Sequence, residues 1–199
     1  MKKLVIGSIL ATIILIAFMA YKNHQLLEYK NELGNKFAND YFRTIVTLNT
    51  YEATYEKWLE NGTINYIEAD RLIRDAVTTD YDQSHLISSY KRVENEERFD
   101  FSKRRFGDFI KKTYFFLHSL IPDTNITDEG DNVQLYREMT GEEIQFVSKY
   151  LGELKDIASI INAHYEDGFQ TKLGLDFFED DRFVKTIVAI EKYLEEIYP

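Results

Sequence analysis

The chain has 199 residues, with 34 Asp and Glu against 24 Lys and Arg for a net charge of −10, and it has no cysteine. A phosphate backbone must be met with Lys and Arg, so this balance argues against nucleic acid as a partner. Zero cysteine excludes a disulfide framework, a thiol nucleophile and any thiolate metal site, while 14 Tyr and 14 Phe supply the apolar burial that a packed domain needs.

The first element is the run Leu4 to Ala20, LVIGSILATIILIAFMA, behind Met1-Lys2-Lys3. It holds no ionisable side chain, and the hydroxyls of Ser8 and Thr12 can return to the helix backbone. As a helix its 17 residues span roughly 26 Å, close to a hydrocarbon core of about 30 Å, with Tyr21 and a snorkelling Lys22 to complete it. A cleaved signal peptide has a shorter apolar core ending at small-x-small. Here Phe18 occupies the site where a small residue is required, so an uncleaved signal anchor is favoured over a cleaved peptide or a buried helix. Lys2 and Lys3 on the short side predict a cytoplasmic N-terminus and an extracytoplasmic remainder. The expected organisation is an anchor over residues 1–21 and a helical domain over 22–199, which carries 22 basic and 34 acidic side chains, net −12. A cysteine-free exported chain rich in Lys, Ile, Asn and Tyr suggests a bacterial source of the low-GC Gram-positive type. The Asn61-Gly62-Thr63 and Asn125-Ile126-Thr127 sequons then read as loop chemistry only.

Beyond the anchor, Leu26, Leu33, Phe37, Tyr41, Ile45, Leu48, Tyr55 and Leu59 recur by threes, fours and sevens, the signature of one helical face. This helix reaches about Glu60 and ends at Asn61-Gly62. No breaker separates Ser8 from Leu33, so the anchor is expected to feed into it as a stiff stalk, with Gly34 as the natural bend. Thr63 can cap a short helix over about 64–78, with Ile67, Ile73, Ala76 and Val77 inward, and Thr79-Asp80-Tyr81-Asp82 reads as a turn. From Leu86 to Leu120, two helices meeting near Phe99 to Ser102 compete closely with one long bent helix. The loop Pro122 to Asn132 follows. Thr140-Gly141-Glu142-Glu143 is a capping box that opens a heptad of Ile144, Val147, Leu151, Leu154, Ala158, Ile161 and Tyr165. The last helix starts near Asp176 to Asp180 and shows Phe183, Ile187, Ile190, Leu194 and Ile197. With no period-two alternation, the fold class is all-α: a single transmembrane helix, then an antiparallel bundle of four to six helices.

Chemistry is sparse. There is no Gly-x-Ser-x-Gly elbow, and His24, His85, His118 and His164 lie far apart with no His-Glu-x-x-His pair. His164 near Glu166 and Asp167 reads as a cation at a helix C-terminus rather than a ligand. A calcium loop fails in both registers: started at Asp123 it puts Asp128 where glycine is needed, and started at Asn125 it puts Tyr136 where the bidentate Glu belongs. Asp128, Glu129 and Asp131 therefore read as a solvated acidic loop. Asp176, Glu179, Asp180 and Asp181 read as carboxylates gathered at a helix N-terminus, with nothing to raise a pKa for acid catalysis. No catalytic residue, cofactor or metal ligand is assigned. The one basic cluster, Lys103, Arg104, Arg105, Lys111 and Lys112, is first a salt-bridged helix face and second a docking strip for an acidic partner or lipid headgroups. Trp58 is either a bundle-end plug or a partner anchor.

The expected protein is thus a membrane-anchored, non-enzymatic helical bundle of the cell envelope that binds a protein partner. The alternative is a sensor or carrier with an apolar cavity between Tyr41, Tyr55, Tyr90, Phe116 and Tyr165.

Overall fold

The computed structural model describes residues 2–94, 104–121, 135–165 and 172–199, with side chains described from residue 12 onward and not at 93 and 94. Among them are six helices: α1 (Lys2–Asn61), α2 (Tyr66–Glu94), α3 (Arg105–Leu120), α4 (Gly141–His164), α5 (Asp176–Glu179) and α6 (Arg182–Ile197). Two three-residue strands, β1 (Thr63–Asn65) and β2 (Tyr136–Glu138), complete the set. Among the described residues the regular structure is all helical apart from that pair. Among the described residues no helix is long and apolar enough to cross a membrane; of the run Leu4 to Ala20, described side chains begin at Thr12.

The chain divides into two compact units, residues 1–38 with 171–180 and residues 39–170 with 181–199. In the first, α1 continues as a helix through Gly34, the position expected to bend. Gly34 makes a close approach: a Cβ there would fall on the carbonyl oxygen of Gly174. Gly174 in turn adopts a left-handed φ of 61°, and a Cβ there would meet the Asn31 side chain. Two facing positions without side chains let backbone meet backbone. Phe37 closes the contact with edge-on rings from Phe177 at 6.2 Å and Phe178 at 5.7 Å.

The second unit is a bundle of α2, α3, α4, α6 and the α1 residues from Asn39 onward. Helices α1 and α2 run antiparallel, tied by Arg43 to Asp82 at 2.6 Å, the Tyr51 hydroxyl to the Leu72 carbonyl at 3.1 Å and Trp58 Nε1 to Glu68 at 2.9 Å. Their turn is chemically built. Asn61 ends α1, Gly62 takes φ 66°, and Asn65 Oδ1 accepts from the amides of Ile67 and Glu68 to cap α2. The cap is therefore Asn65, two residues later than Thr63, which lies in β1. That strand pairs antiparallel with β2, Ile64 opposite Arg137, flanked by Met139 N to the Gly62 carbonyl at 2.9 Å and Tyr66 N to the Leu135 carbonyl at 3.0 Å. Three-residue strands are too short to leave a periodic trace.

Helix α2 also corrects the expected turn at Thr79 to Asp82, since it is helical from Tyr66 to Glu94. Its buried positions Ala69, Leu72, Ala76, Thr79, Gln83, Leu86 and Tyr90 alternate by threes and fours, an unbroken core seam. Two of the seven are polar, and they conceal the repeat. Ile67 and Val77, expected inward, point outward. The junction expected near Phe99 to Ser102 lies outside the described residues; α2 ends at Glu94 and α3 begins at Arg105.

The core between α1, α3 and α4 is aromatic. Tyr150 stacks on Phe109 at 4.4 Å, meets Tyr55 edge-on at 5.8 Å and lies beside Phe146, which stacks on Phe116 at 3.9 Å. The Tyr150 hydroxyl donates to the Phe109 carbonyl at 2.9 Å and accepts from Thr113, so a polar tip inside the core is satisfied. The pairs Thr113–Tyr150 and Phe116–Phe146 set α3 and α4 antiparallel, and Asp156–Tyr193 with Glu153–Tyr198 does the same for α4 and α6.

The capping box at Thr140 forms as expected: Glu143 N donates to Thr140 Oγ1 at 3.3 Å and Thr140 N to the Glu143 carboxylate at 2.8 Å. Arg137 on β2 adds a bidentate pair to that carboxylate. The guanidinium hydrogen bonds draw the Glu143 carboxyl down to about 2.

Candidate interaction surface

The basic cluster on α3 separates into members with different surroundings. Lys103 lies outside the described residues. Arg104 is exposed at the helix start. Arg105 is largely buried, 3.3 Å from the Glu195 carboxylate and donating to the Tyr198 carbonyl at 3.3 Å. Lys112 holds its ammonium 3.1 Å from the centre of the Tyr198 ring, a cation–π contact, and burial lowers its pKa. Lys111 is half-exposed, 3.9 Å from the Asp80 carboxylate of α2. Arg105 and Lys112 thus hold the end of α6 against α3. Arg104 and Lys111 face outward.

The start of α3 has no capping side chain of its own. Glu191 of α6 supplies one from across the bundle, accepting from the Arg105 amide at 3.0 Å and the Phe106 amide at 3.2 Å. A carboxylate at a helix N-terminus satisfies orphan donors and the helix dipole together. Burial nonetheless outweighs these bonds and raises the Glu191 pKa. Nearby, Glu153 is buried on α4 and accepts from the Tyr198 hydroxyl at 2.5 Å, with Lys149 at 3.9 Å. Burial first, then the bond to Glu153, pushes the Tyr198 phenol up. These carboxylates are structural fasteners between helices.

The remaining candidate residues fall as follows. His24 is exposed, 3.4 Å from Glu28. His85 lies on the Tyr81 ring at 4.2 Å, and His118 is 5.8 Å from that of Tyr114. His164 is half-buried near the α4 C-terminus. Among the described residues no three His, Asp or Glu side chains converge as a metal site would require; Asp123, Asp128, Glu129, Asp131, Glu166 and Asp167 lie outside them. Asp176 and Glu179 are exposed, Asp180 is buried and Asp181 pairs with Lys185 at 2.7 Å. Trp58 is 1% exposed with its indole N–H bonded to Glu68, so it is a core residue.

The rings considered for a ligand cavity lie on other rings. Tyr41 meets Phe183 at 4.9 Å and Tyr165 at 6.2 Å, and Tyr90 meets Phe183 at 5.1 Å. A shallow groove of about 440 Å³ runs along the outer face of α1, lined by Val46, Asn49, Thr50, Ala53, Thr54 and Lys57. All six lining residues, Asn49, Thr50, Thr54 and Lys57 among them polar, come from one helix, so no second element encloses a ligand there.

Large apolar side chains are also exposed elsewhere on the described surface. From Ile13 to Met19 the large apolar side chains of α1 are 57–62% exposed, and Ile67, Val77, Tyr81 and Phe115 stand out at 54%, 56%, 63% and 68%. The sequence missed the latter group because Ile67 and Val77 fit an inward stripe over the shorter helix expected there. Comparison with known protein families, curated proteins and solved structures found no match.

Proposed function

We propose that the chain is a membrane-anchored, extracytoplasmic helical-bundle protein that works non-enzymatically, by binding another protein of the cell envelope. One observation carries the reading: every described large apolar side chain from Ile13 to Met19 is more than half exposed on a continuous helix. A helix apolar on all sides is stable only inside a large core or a bilayer. Its sequence continues apolar back to Leu4, behind Lys2 and Lys3, a charge bias that sets the N-terminus inside.

The binding part of the reading rests on the bundle. Its aromatic side chains pack on one another, its best-satisfied carboxylates fasten helix to helix, and its exposed apolar side chains lie on outer faces. Exposed apolar clusters on such a surface mark contact sites.

The absence of native cysteine makes the topology testable by thiol labelling of intact cells. Asn162→Cys, at an exposed position of α4, is expected to react with a membrane-impermeant maleimide, and Lys3→Cys to react only after lysis. Labelling of Lys3→Cys in intact cells, or protection of Asn162→Cys, would reject the proposed topology.

A further inference from the structure

We propose that the segment 172–175, held against α1 at Gly34, is a foot that rests on the outer leaflet of the bilayer, with Leu173 and Leu27 entering the headgroup layer. The inference rests on the membrane-anchored reading above and adds a second lipid contact outside the span.

The contacts within this unit fix the level of the segment on α1. Gly174 lies against Asn31 and Gly34, while Phe177 and Phe178 lie against Phe37. The chain therefore climbs α1 away from the anchor as it enters α5, and Lys172 and Leu173 lie on the anchor side of Gly174. Leu27 shares that face, since it precedes Asn31 by one helical turn and Gly34 by two.

Helical rise converts this level into a height. At 1.5 Å per residue, a hydrocarbon layer of about 30 Å counted from Leu4 ends near residue 24. Headgroups of roughly 5–7 Å carry the leaflet to about residue 28. Leu26 and Leu27 then fall inside the headgroup layer and Tyr29 at its edge, a depth that tyrosine favours. Leu173, one residue below Gly174, sits about 3 Å above that edge on an upright helix. Spanning helices tilt by about 20°. At a lateral offset of roughly 8–10 Å, that tilt lowers the segment by about 3 Å.

The exposed apolar side chains of this unit collect at the same depth. Beyond Tyr21, the described large ones over residues 22–38 and 172–180 are Leu26, Leu27, Tyr29 and Leu173. Further from the anchor, Leu33 and Phe178 are half-buried and Phe37 and Phe177 are buried. Water on all sides gives no reason to bare large apolar residues at one end only, whereas a leaflet against that end covers them. The charge suits a zwitterionic leaflet. Over the same residues four lysines (22, 30, 36 and 172) stand against five carboxylates (28, 32, 176, 179 and 180), a near-neutral set that does not depend on anionic lipid.

The chain has no native cysteine, so single fluorescent labels test the contact in the full-length protein in phosphatidylcholine nanodiscs. A bimane label on Lys172→Cys should lose emission when the discs contain headgroup-spin-labelled phosphatidylcholine. The same label on Glu179→Cys, exposed at the far end of α5, should keep it. Gly34→Ala, whose methyl would strike the Gly174 carbonyl, should dislodge the segment and restore emission at position 172. Undiminished emission at position 172 in the otherwise natural chain, or quenching that persists with Gly34→Ala, would overturn the proposal. So would a label shielded from both the lipid quencher and aqueous iodide, which would assign the cover to protein. A label on Ile14→Cys tests the span separately. If lipid spin-labelled on its acyl chain fails to quench it, the anchor falls; if it is quenched while position 172 stays bright, only the foot does.

Discussion

Helix α1 holds two apolar stretches that differ in periodicity. From Ile13 to Met19 large apolar side chains point in every direction and are exposed; from Phe37 to Trp58 the positions 37, 41, 44, 48, 51, 55 and 58 step by fours and threes, and all seven are buried. A heptad stripe fits a neighbouring helix, because only one face needs cover. An all-round apolar helix is not covered by a single neighbouring helix and needs a large core or an apolar medium around it. The contrast places the second stretch in the bundle core; on the proposed reading the first stretch is the one a bilayer would cover.

The sharpest way to break that contrast is to truncate one large side chain in each stretch. Trp58→Ala removes a buried ring and the indole bond to Glu68, and should lower unfolding stability by about 3–5 kcal/mol. Phe18→Ala, at an exposed position, should change it by less than about 0.5 kcal/mol. Chemical unfolding of the chain in mild detergent reads both; equal costs would place residues 13–19 in a folded core.

Inside the core, Tyr150→Phe should cost roughly 1–3 kcal/mol, since it leaves the Thr113 hydroxyl buried without its partner. Substituting Thr113→Val as well should recover part of that loss. Thr79→Val should move the other way, a gain of about 1 kcal/mol in thermal or urea unfolding, because the buried Thr79 hydroxyl has no hydrogen-bond partner among the described residues. A loss there would show that the hydroxyl is satisfied by a water or by another group.

The smallest effect concerns the α4 cap. The Glu143 carboxyl titrates near 2, below its ordinary 4.5. A depressed folded pKa means that its contribution is complete above about pH 4.5 and fades as the pH falls toward 2. Because the pair is partly solvent-screened, the change is of order 0.5 kcal/mol. Relative to Glu143→Gln, the natural chain should lose its advantage across that window and not above it.

Where local chemistry and periodicity coincide, the elements could be read from the residues alone. The α1 stripe from Phe37 to Tyr55, the Asn61-Gly62 stop, the Thr140–Glu143 box and the α6 stripe from Phe183 to Leu194 all belong to this kind; Leu26, expected on the α1 stripe, is 53% exposed, and the buried Tyr51 and Trp58 were not placed on it. Helix α2 was misread because Thr79 and Gln83 occupy core positions with polar side chains, so the seam resembles a turn. The strands have three residues each and no period to display. Gly34 has the sequence appearance of a hinge, yet its function depends on Gly174, a partner 140 positions away that only folding brings close. The basic strip suffered a related ambiguity: nothing in Lys103 to Lys112 distinguishes the members that fasten α6 from those that face outward.

The proposed membrane anchoring requires that residues 4–20 hold the chain in a bilayer. Alkaline carbonate extraction of membranes from cells expressing the full chain, beside an Ile14→Lys/Ile16→Lys variant, tests it directly. The natural chain should remain in the pellet and the variant should move to the soluble fraction with the same cooperative unfolding of its bundle. Release of the natural chain by carbonate, or retention of the variant, would contradict the assignment.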